Sequence, residues 1–262
     1  MKKKLFLINQ YVRYRMRSKT THGTHSPFVF DLLNKVVYNR NSFYAYKEIE
    51  KLREQLLNLK SEIHCKDLGA GGMVNTERVR AIRDIAKRSV KPAKYGKLLF
   101  RLVNYFQPKT ILELGTSLGI TTAYLRAGSL KSELITVEGC PEISAIAEKN
   151  WEQLGYKNIH LHMGDFDTVL PALLTNAPAV DFVFFDGNHR KQPTLEYFGQ
   201  CLEKSHDRTV FVIDDIYWSE EMKEAWEEIK ANERVSVTID LFYMGLVFFR
   251  KGQAKEDFVI RY

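Results

Sequence analysis

The stretch ILELGTSLGITT (111–122) decides the fold of this chain. With Thr110 it opens as a short apolar run, TILEL (110–114), the length of a buried strand. Two glycines, Gly115 and Gly119, then bracket a turn, and a helical pattern follows to about residue 128. The same alternation repeats downstream. Strands are read at ELITV (133–137), IHLHM (159–163), VDFVFF (180–185) and TVFVI (209–213), with helices at 141–154, 166–175, 191–204 and 218–231. Alternating strand and helix predict a parallel sheet covered on both faces. The last two runs, VSVTID (235–240) and GLVFFR (245–250), have no helix between them and predict an antiparallel hairpin at one edge.

Upstream the pattern is helical. Residues 5–17 read as a short basic helix with Phe6, Ile8, Tyr11 and Tyr14 on one apolar side. Ser26 and Pro27 form an N-cap and first-turn pair for a helix to about residue 38. Further helices are read over 45–60, 76–89 and 92–106, with a glycine-bearing loop over 65–76. The chain of 262 residues divides on this reading into a helical extension, 1–90, and an α/β domain, 91–262.

Apolar content of 45% and charged content of 27% are those of a globular protein and exclude a fibrous or disordered chain. No apolar run approaches the roughly 20 residues of a membrane helix, so no membrane insertion is expected. The opening Met1–Ile8 is too short in its apolar part for a signal peptide, and a cytoplasmic protein is expected. Cys65, Cys140 and Cys201 fit neither a disulfide framework nor a zinc pattern. The net charge of +7 is uneven: residues 1–110 carry 24 Lys and Arg against 8 Asp and Glu, and residues 111–262 carry 15 against 24. Such a split marks an anionic partner, or two complementary surfaces meeting within the fold or across a homo-dimer.

In parallel sheets a ligand lies beyond the carboxyl ends of the strands. Gly115 and Gly119 let the backbone approach it. Glu138, just past the second strand, can accept both hydrogens of a ribose diol. Asp165, past the third, can accept from an adenine amino group; either acid alone also suits a helix cap. Asp67-Leu68-Gly69-Ala70-Gly71-Gly72 is a closer literal match to a glycine motif, but SEIHCK (61–66) before it is no buried strand, and it reads as a loop over the site. Asp186 ends the fourth strand; Asp214 and Asp215 end the fifth. Three converging carboxylates repel unless a cation holds them, and a hard divalent ion, Mg²⁺ most naturally, does so. Tyr217 and Trp218 are either acceptor-pocket walls or core.

Residues 92–250 resemble the metal-dependent class I O-methyltransferases of the catechol and caffeoyl-CoA type, and DGNH (186–189) and IDD (213–215) look still more like the macrocin-type sugar O-methyltransferases. The matching pieces are KYGKLL (94–99), ILELGTSLGITT (111–122), LITVEG (134–139), GDFDTVLP (164–171), DFVFFDGNHR (181–190) and FVIDD (211–215). The resemblance implies a Rossmann-like, seven-stranded, mostly parallel sheet with a C-terminal antiparallel hairpin. It implies S-adenosylmethionine held by Gly96, Glu113, Gly115, Thr116, Ser117, Gly119, Thr121, Glu138, Gly139, Asp165, Phe166 and Asp186. It implies a divalent metal on Asp186, Asp214 and Asp215. The catechol and caffeoyl types carry Asn where this chain has Asp215, and a base Lys where it has His189; the sugar type carries Asp at the first of these. The expected reaction is in-line attack of a small-molecule hydroxyl, catechol-like or vicinal diol, on the sulfonium methyl, with His189 or Asp186 taking the proton. Two other readings share the sequence. One is an RNA methyltransferase acting on a hydroxylated base, its RNA contacted by the basic N-terminal portion. The other is a non-catalytic assembly protein, which the acid set argues against.

Overall fold

The computed structural model describes residues 2–66 and 77–262. The chain divides into two compact units, Met1–Asn39 with Leu174–Tyr262, and Arg40–Leu173.

Helix α1 (Lys2–Arg17) opens the first unit, and α2 (Pro27–Leu32) runs on into a π-helical turn, Leu33–Val37. Ser26 Oγ accepts from Val29 N at the start of α2, as the Ser-Pro pair predicts. The second unit holds α3 (Tyr44–Asn58), strands β1 (Glu62–Lys66) and β2 (Glu77–Ala81), α4 (Ile82–Ser89) and α5 (Ala93–Phe106). Then come β3 (Thr110–Leu114), α6 (Ile120–Gly128), β4 (Glu133–Glu138), α7 (Pro141–Gln153), β5 (Ile159–Met163) and α8 (Phe166–Asn176), the last reaching into the first unit. The first unit resumes with β6 (Phe182–Phe185), α9 (Lys191–Leu202), β7 (Val210–Asp214), α10 (Glu220–Ala231), β8 (Val237–Asp240), β9 (Met244–Phe248) and β10 (Glu256–Val259).

The architecture is α/β with a large, mostly parallel sheet, as expected. In the second unit β3, β4 and β5 pair in parallel in that order. In the first unit the order is β10-β8-β9-β7-β6. There β6 and β7 are parallel, β9 is antiparallel to β7 and β8, and β10 is parallel to β8. The units hold three and five such strands, eight in place of the expected seven, and β10 lies outside the predicted hairpin. Strands β6 and β7 read as unbroken apolar runs because every residue in both is buried.

One upstream expectation is corrected. Residues 77–81 form a strand rather than the first turns of a helix, and they pair antiparallel with 62–66 in a separate two-stranded sheet. Glu62–Lys66 is thus a strand, though not a buried one: Glu62 and His64 are exposed. The glycine motif at 67–72, read as a loop over the site, lies outside the described residues.

Each unit has its own core. In the second, Ile49, Leu52 and Leu56 of α3 pack with Phe100, Ala123, Tyr124 and Trp151. In the first, the chain's start and end are tied together. Tyr14 of α1 is buried, its hydroxyl donates to Ile260 O at 2.6 Å, and it accepts from Tyr262 N at 2.9 Å. Lys19 bridges Ile260 in parallel. The N-terminal 39 residues thus cluster with the C-terminal strands.

Candidate active site

In the second unit β3 ends in a turn shaped by three left-handed residues, Gly115 (φ 109°), Ser117 (φ 47°) and Gly119 (φ 76°). Gly115 and Thr116 both donate to Val137 O, which ties the turn to β4. At Gly119 a Cβ would stand 2.5 Å from Trp151 Nε1, and Trp151 Nε1 donates to Gly119 O at 2.9 Å. Gly119 is therefore required both by its backbone angle and by the indole against it.

Two acids organise the turn. Glu113 is fully buried, and its Oε2 accepts from Thr122 Oγ1 (2.5 Å) and Thr136 Oγ1 (2.7 Å). The Glu138 carboxylate accepts from Ser117 N (2.9 Å) and Cys140 N (3.0 Å), and each carboxylate oxygen has lone-pair capacity for a second donor. A ribose diol is compatible with that geometry. Asp165 is exposed, and its Oδ1 accepts from Asp167 N at 3.0 Å, the geometry of a helix cap for α8. Thr116 and Thr121 are buried, and Gly139 and Phe166 half-buried at the ends of β4 and the start of α8. Gly96 sits within α5, where a Cβ would meet the Tyr124 ring at 2.5 Å; its visible role is close packing of α5 on α6.

The first unit brings together the acids at the ends of β6 and β7. Asp186, His189 and Asp214 each offer a ligand atom, and these atoms all lie within 4.8 Å of one another. His189 Nε2 is 3.7 Å from Asp186 Oδ1 and 3.9 Å from Asp215 Oδ2. Two atoms that ligate one hard cation at about 2.0–2.6 Å lie no more than about 5 Å apart, so the spacing fits a divalent ion. The donor set is two carboxylates and an imidazole, with Asp215 one imidazole away. Asp214 is buried. Asn188 locks the intervening loop: its Nδ2 donates to Tyr197 Oη (3.1 Å) and its Oδ1 accepts from Arg190 Nε (2.9 Å).

The two aromatics after β7 separate. Tyr217 turns inward, donates to Asp240 Oδ2 at 2.6 Å and stacks on Phe242. Trp218 is 44% exposed, with its ring centroid 6.3 Å from that of His189. Lys3 Nζ of α1 lies 3.3 Å from the Trp218 centroid and interacts electrostatically with Asp215. The sequence reading did not place Lys3 here, since nothing local ties residue 3 to residue 218. Burial lowers the Lys3 ammonium below its ordinary range, and Asp215 partly offsets that.

Residues 112–216 match a methyltransferase domain family. A catechol O-methyltransferase of Niastella koreensis is 36% identical over 131 residues, covering 49% of this chain and 58% of that protein. A catechol O-methyltransferase of Mycobacterium tuberculosis is 27% identical over 126 residues, covering 47% and 56%. The match thus spans little more than half the length of these relatives. The structure of a Bacillus cereus O-methyltransferase in complex with SAH superposes with a TM-score of 0.56 at 19% identity, covering 80% of this chain and 93% of that one. The O-methyltransferase TomG of Streptomyces achromogenes, solved with SAM, gives 0.56 at 19% identity, covering 85% and 95%. The chain has the fold of the class I S-adenosylmethionine-dependent O-methyltransferases and resembles them in sequence through the strands that carry the turn and the acid cluster. Among the described residues, no helix is long and apolar enough to cross a membrane.

Proposed function

We propose that this protein is an S-adenosylmethionine-dependent O-methyltransferase acting on a small-molecule hydroxyl next to a second oxygen, as in a catechol or vicinal diol. The observation that carries the reading is the convergence of Asp186, His189 and Asp214 at the ends of β6 and β7. Relatives and structural neighbours with the same fold are catechol O-methyltransferases and SAH- or SAM-bound O-methyltransferases, which supports both the reaction and the cofactor.

The residues divide the work. The turn 115–119, with Glu138 engaged by Ser117 N, would hold the cofactor's adenosine part. Asp186 and Asp214 would hold a divalent cation, with His189 or Asp215 beside them. When bound, the cofactor supplies an electrophilic methyl group and the cation a charge that lowers the pKa of a hydroxyl. An imidazole is suited to take a hydroxyl proton near neutral pH, and His189 faces Asp186 and Asp215, which would stabilise the imidazolium so formed. If His189 is instead a ligand, Asp186 or Asp215 takes the proton. Carboxylates favour Mg²⁺ or Mn²⁺, while an imidazole ligand shifts preference toward Mn²⁺ and later metals.

The test is methyl transfer from labelled S-adenosylmethionine to a panel of catechols and vicinal diols, with Mg²⁺, with Mn²⁺ and with chelator. Metal-stimulated labelling of an oxygen acceptor is expected. Full activity in chelator refutes the metal, and no calorimetric binding of S-adenosylmethionine refutes the reading as a whole.

A further inference from the structure

Helix α1 has two apolar sides. Tyr14 and Gln10 are buried on one, and the Tyr11 ring meets Phe242 edge-on at 5.0 Å on the same side. The other side carries Leu5, Ile8, Val12 and Met16, spaced so that they share one face of a helix. These four are 69%, 53%, 49% and 75% exposed. Ile8 thus belongs to the outer stripe and not to the inner face with Tyr14. Lys4 and Arg15 border the stripe on one flank and Arg13 on the other, all exposed. The helix contains no acidic residue.

We infer that α1 is an interfacial helix whose Leu5, Ile8, Val12 and Met16 stripe seats the protein on an anionic lipid surface. A stripe of aliphatic side chains bordered by cations is what an acyl-chain boundary under acidic headgroups receives. Sixteen residues give a helix about 24 Å long, ample for lying in the interface and too short for spanning it with this composition. Nucleic acid is a poorer occupant. Single-stranded nucleic acid is gripped by free aromatic faces, and here Tyr14 is buried and the half-exposed Tyr11 ring is packed on Phe242, while the stripe itself is aliphatic. A second copy of the same face is also poorer, because a two-fold contact would bring two all-cationic helices together. The inference is independent of the methyl-transfer reading: it needs only the exposure and charge of α1.

The experiment is co-sedimentation of the full chain with vesicles of phosphatidylcholine alone and of phosphatidylcholine with about one third phosphatidylglycerol, at low and high salt. Three proteins are compared: the parent, the pair Ile8→Gln with Val12→Gln, and the pair Arg13→Gln with Arg15→Gln. All four sites are exposed, so circular dichroism and the thermal midpoint should be unchanged. The parent should bind the anionic vesicles and release in high salt. Each cation near such a surface strengthens adsorption about fivefold, so the arginine pair should lower partitioning about 25-fold. The apolar pair should abolish it at unchanged charge. Equal binding of the parent and the apolar pair overturns the proposal, as does absence of vesicle binding. Binding of transfer RNA that the arginine pair loses and the apolar pair keeps, without vesicle binding, assigns the helix to RNA and overturns it. A doubled mass in sedimentation velocity that the apolar pair abolishes assigns the stripe to self-association, with the same consequence.

Discussion

Replacing Gly96 by Ala separates a packing role from a cofactor role at a position where the sequence resemblance implies the second. The added Cβ would stand 2.5 Å from Cδ2 and Cε2 of Tyr124. That ring is buried, and its hydroxyl donates to Glu50 Oε1 at 2.6 Å, so it cannot swing aside without breaking a bond to a carboxylate. Overpacking costs about 1–3 kcal/mol. Losing a hydrogen bond to a charged group adds about 1.5–3 kcal/mol if the ring yields. Alanine's helix propensity returns about 1 kcal/mol in the middle of α5. With the ring displaced the balance is a loss of about 1.5–5 kcal/mol, or a thermal midpoint lowered by about 2–4 °C per kcal/mol for a chain of this size. Calorimetric unfolding measures the loss, and titration with S-adenosylhomocysteine measures the cofactor site in the same samples. Tyr124→Leu in the Gly96→Ala background should recover part of the lost stability, with cofactor affinity unchanged throughout. A Gly96→Ala protein of parental stability refutes the packing account. One that recovers stability with Tyr124→Leu but still fails to bind the cofactor places Gly96 at the ligand.

Other perturbations read the two acid systems. His189→Gln should weaken Mn²⁺ binding by about 10–100-fold if the imidazole is a ligand, whereas a lower rate at unchanged metal affinity identifies it as the base. Thr122→Val removes a hydroxyl donor from the buried Glu113 and should cost about 1.5–3 kcal/mol in urea unfolding; no loss would show that the 2.5 Å bond contributes nothing. Burial raises the Asp240 carboxyl above its ordinary range, against the opposing hydrogen bonds from Tyr217 and Phe242 N. The folded state therefore favours the protonated form, and that contribution is present below the unfolded value of about 4 and lost as pH rises through the folded one. Parental stability should fall relative to Asp240→Asn as pH increases from about 4 toward neutrality, and the opposite slope would contradict the assignment.

The strands that carry the site were legible because burial made them plain. Every residue of β6 and β7 is inside, so VDFVFF (180–185) and TVFVI (209–213) read as strands within two residues of the observed bounds, and the acids at their ends follow by position alone. Burial is not required, since β5 has no buried residue and is still read from IHLHM, but two charged strands escape the reading. Residues 77–81, ERVRA, carry three charges in five residues and pair with Glu62–Lys66, so their alternation is submerged in the helix that follows. Strand β10 is Glu256-Asp257-Phe258-Val259, too short and too acidic to register, and it forms because an edge position at β8 tolerates exposed side chains. The face of α1 was misread at Ile8 because a helix with two apolar sides gives a weak single stripe. Trp218, read as either pocket wall or core, is 44% exposed, with Lys3 over its ring, a contact that no local pattern in the sequence signals.

The backbone around the acid cluster gives a reason to treat it as built rather than accidental. Asn188 (φ 51°) and Asp215 (φ 53°) both adopt the left-handed conformation, one in each of the loops that leave β6 and β7. Only glycine enters that region without cost, and Asn and Asp bear it better than other residues. In the first loop a glycine is present: Gly187 adjoins Asn188, yet Gly187 is not among the positive-φ glycines. A loop under no demand but closure would put the glycine at the left-handed position. Here Asn188 takes it, and its side chain bonds Tyr197 and Arg190, which fixes the loop that carries His189. In the second loop Asp215 N donates to Tyr243 O at 2.6 Å, so the turn is pinned while its carboxylate faces His189. Two segments far apart in sequence thus bear backbone strain and hydrogen bonds that both serve to bring carboxylates to one imidazole. Strain of this kind persists where the surroundings over-determine it, as at ligand sites. The His189→Gln measurement therefore tests the cluster at the residue on which both loops converge.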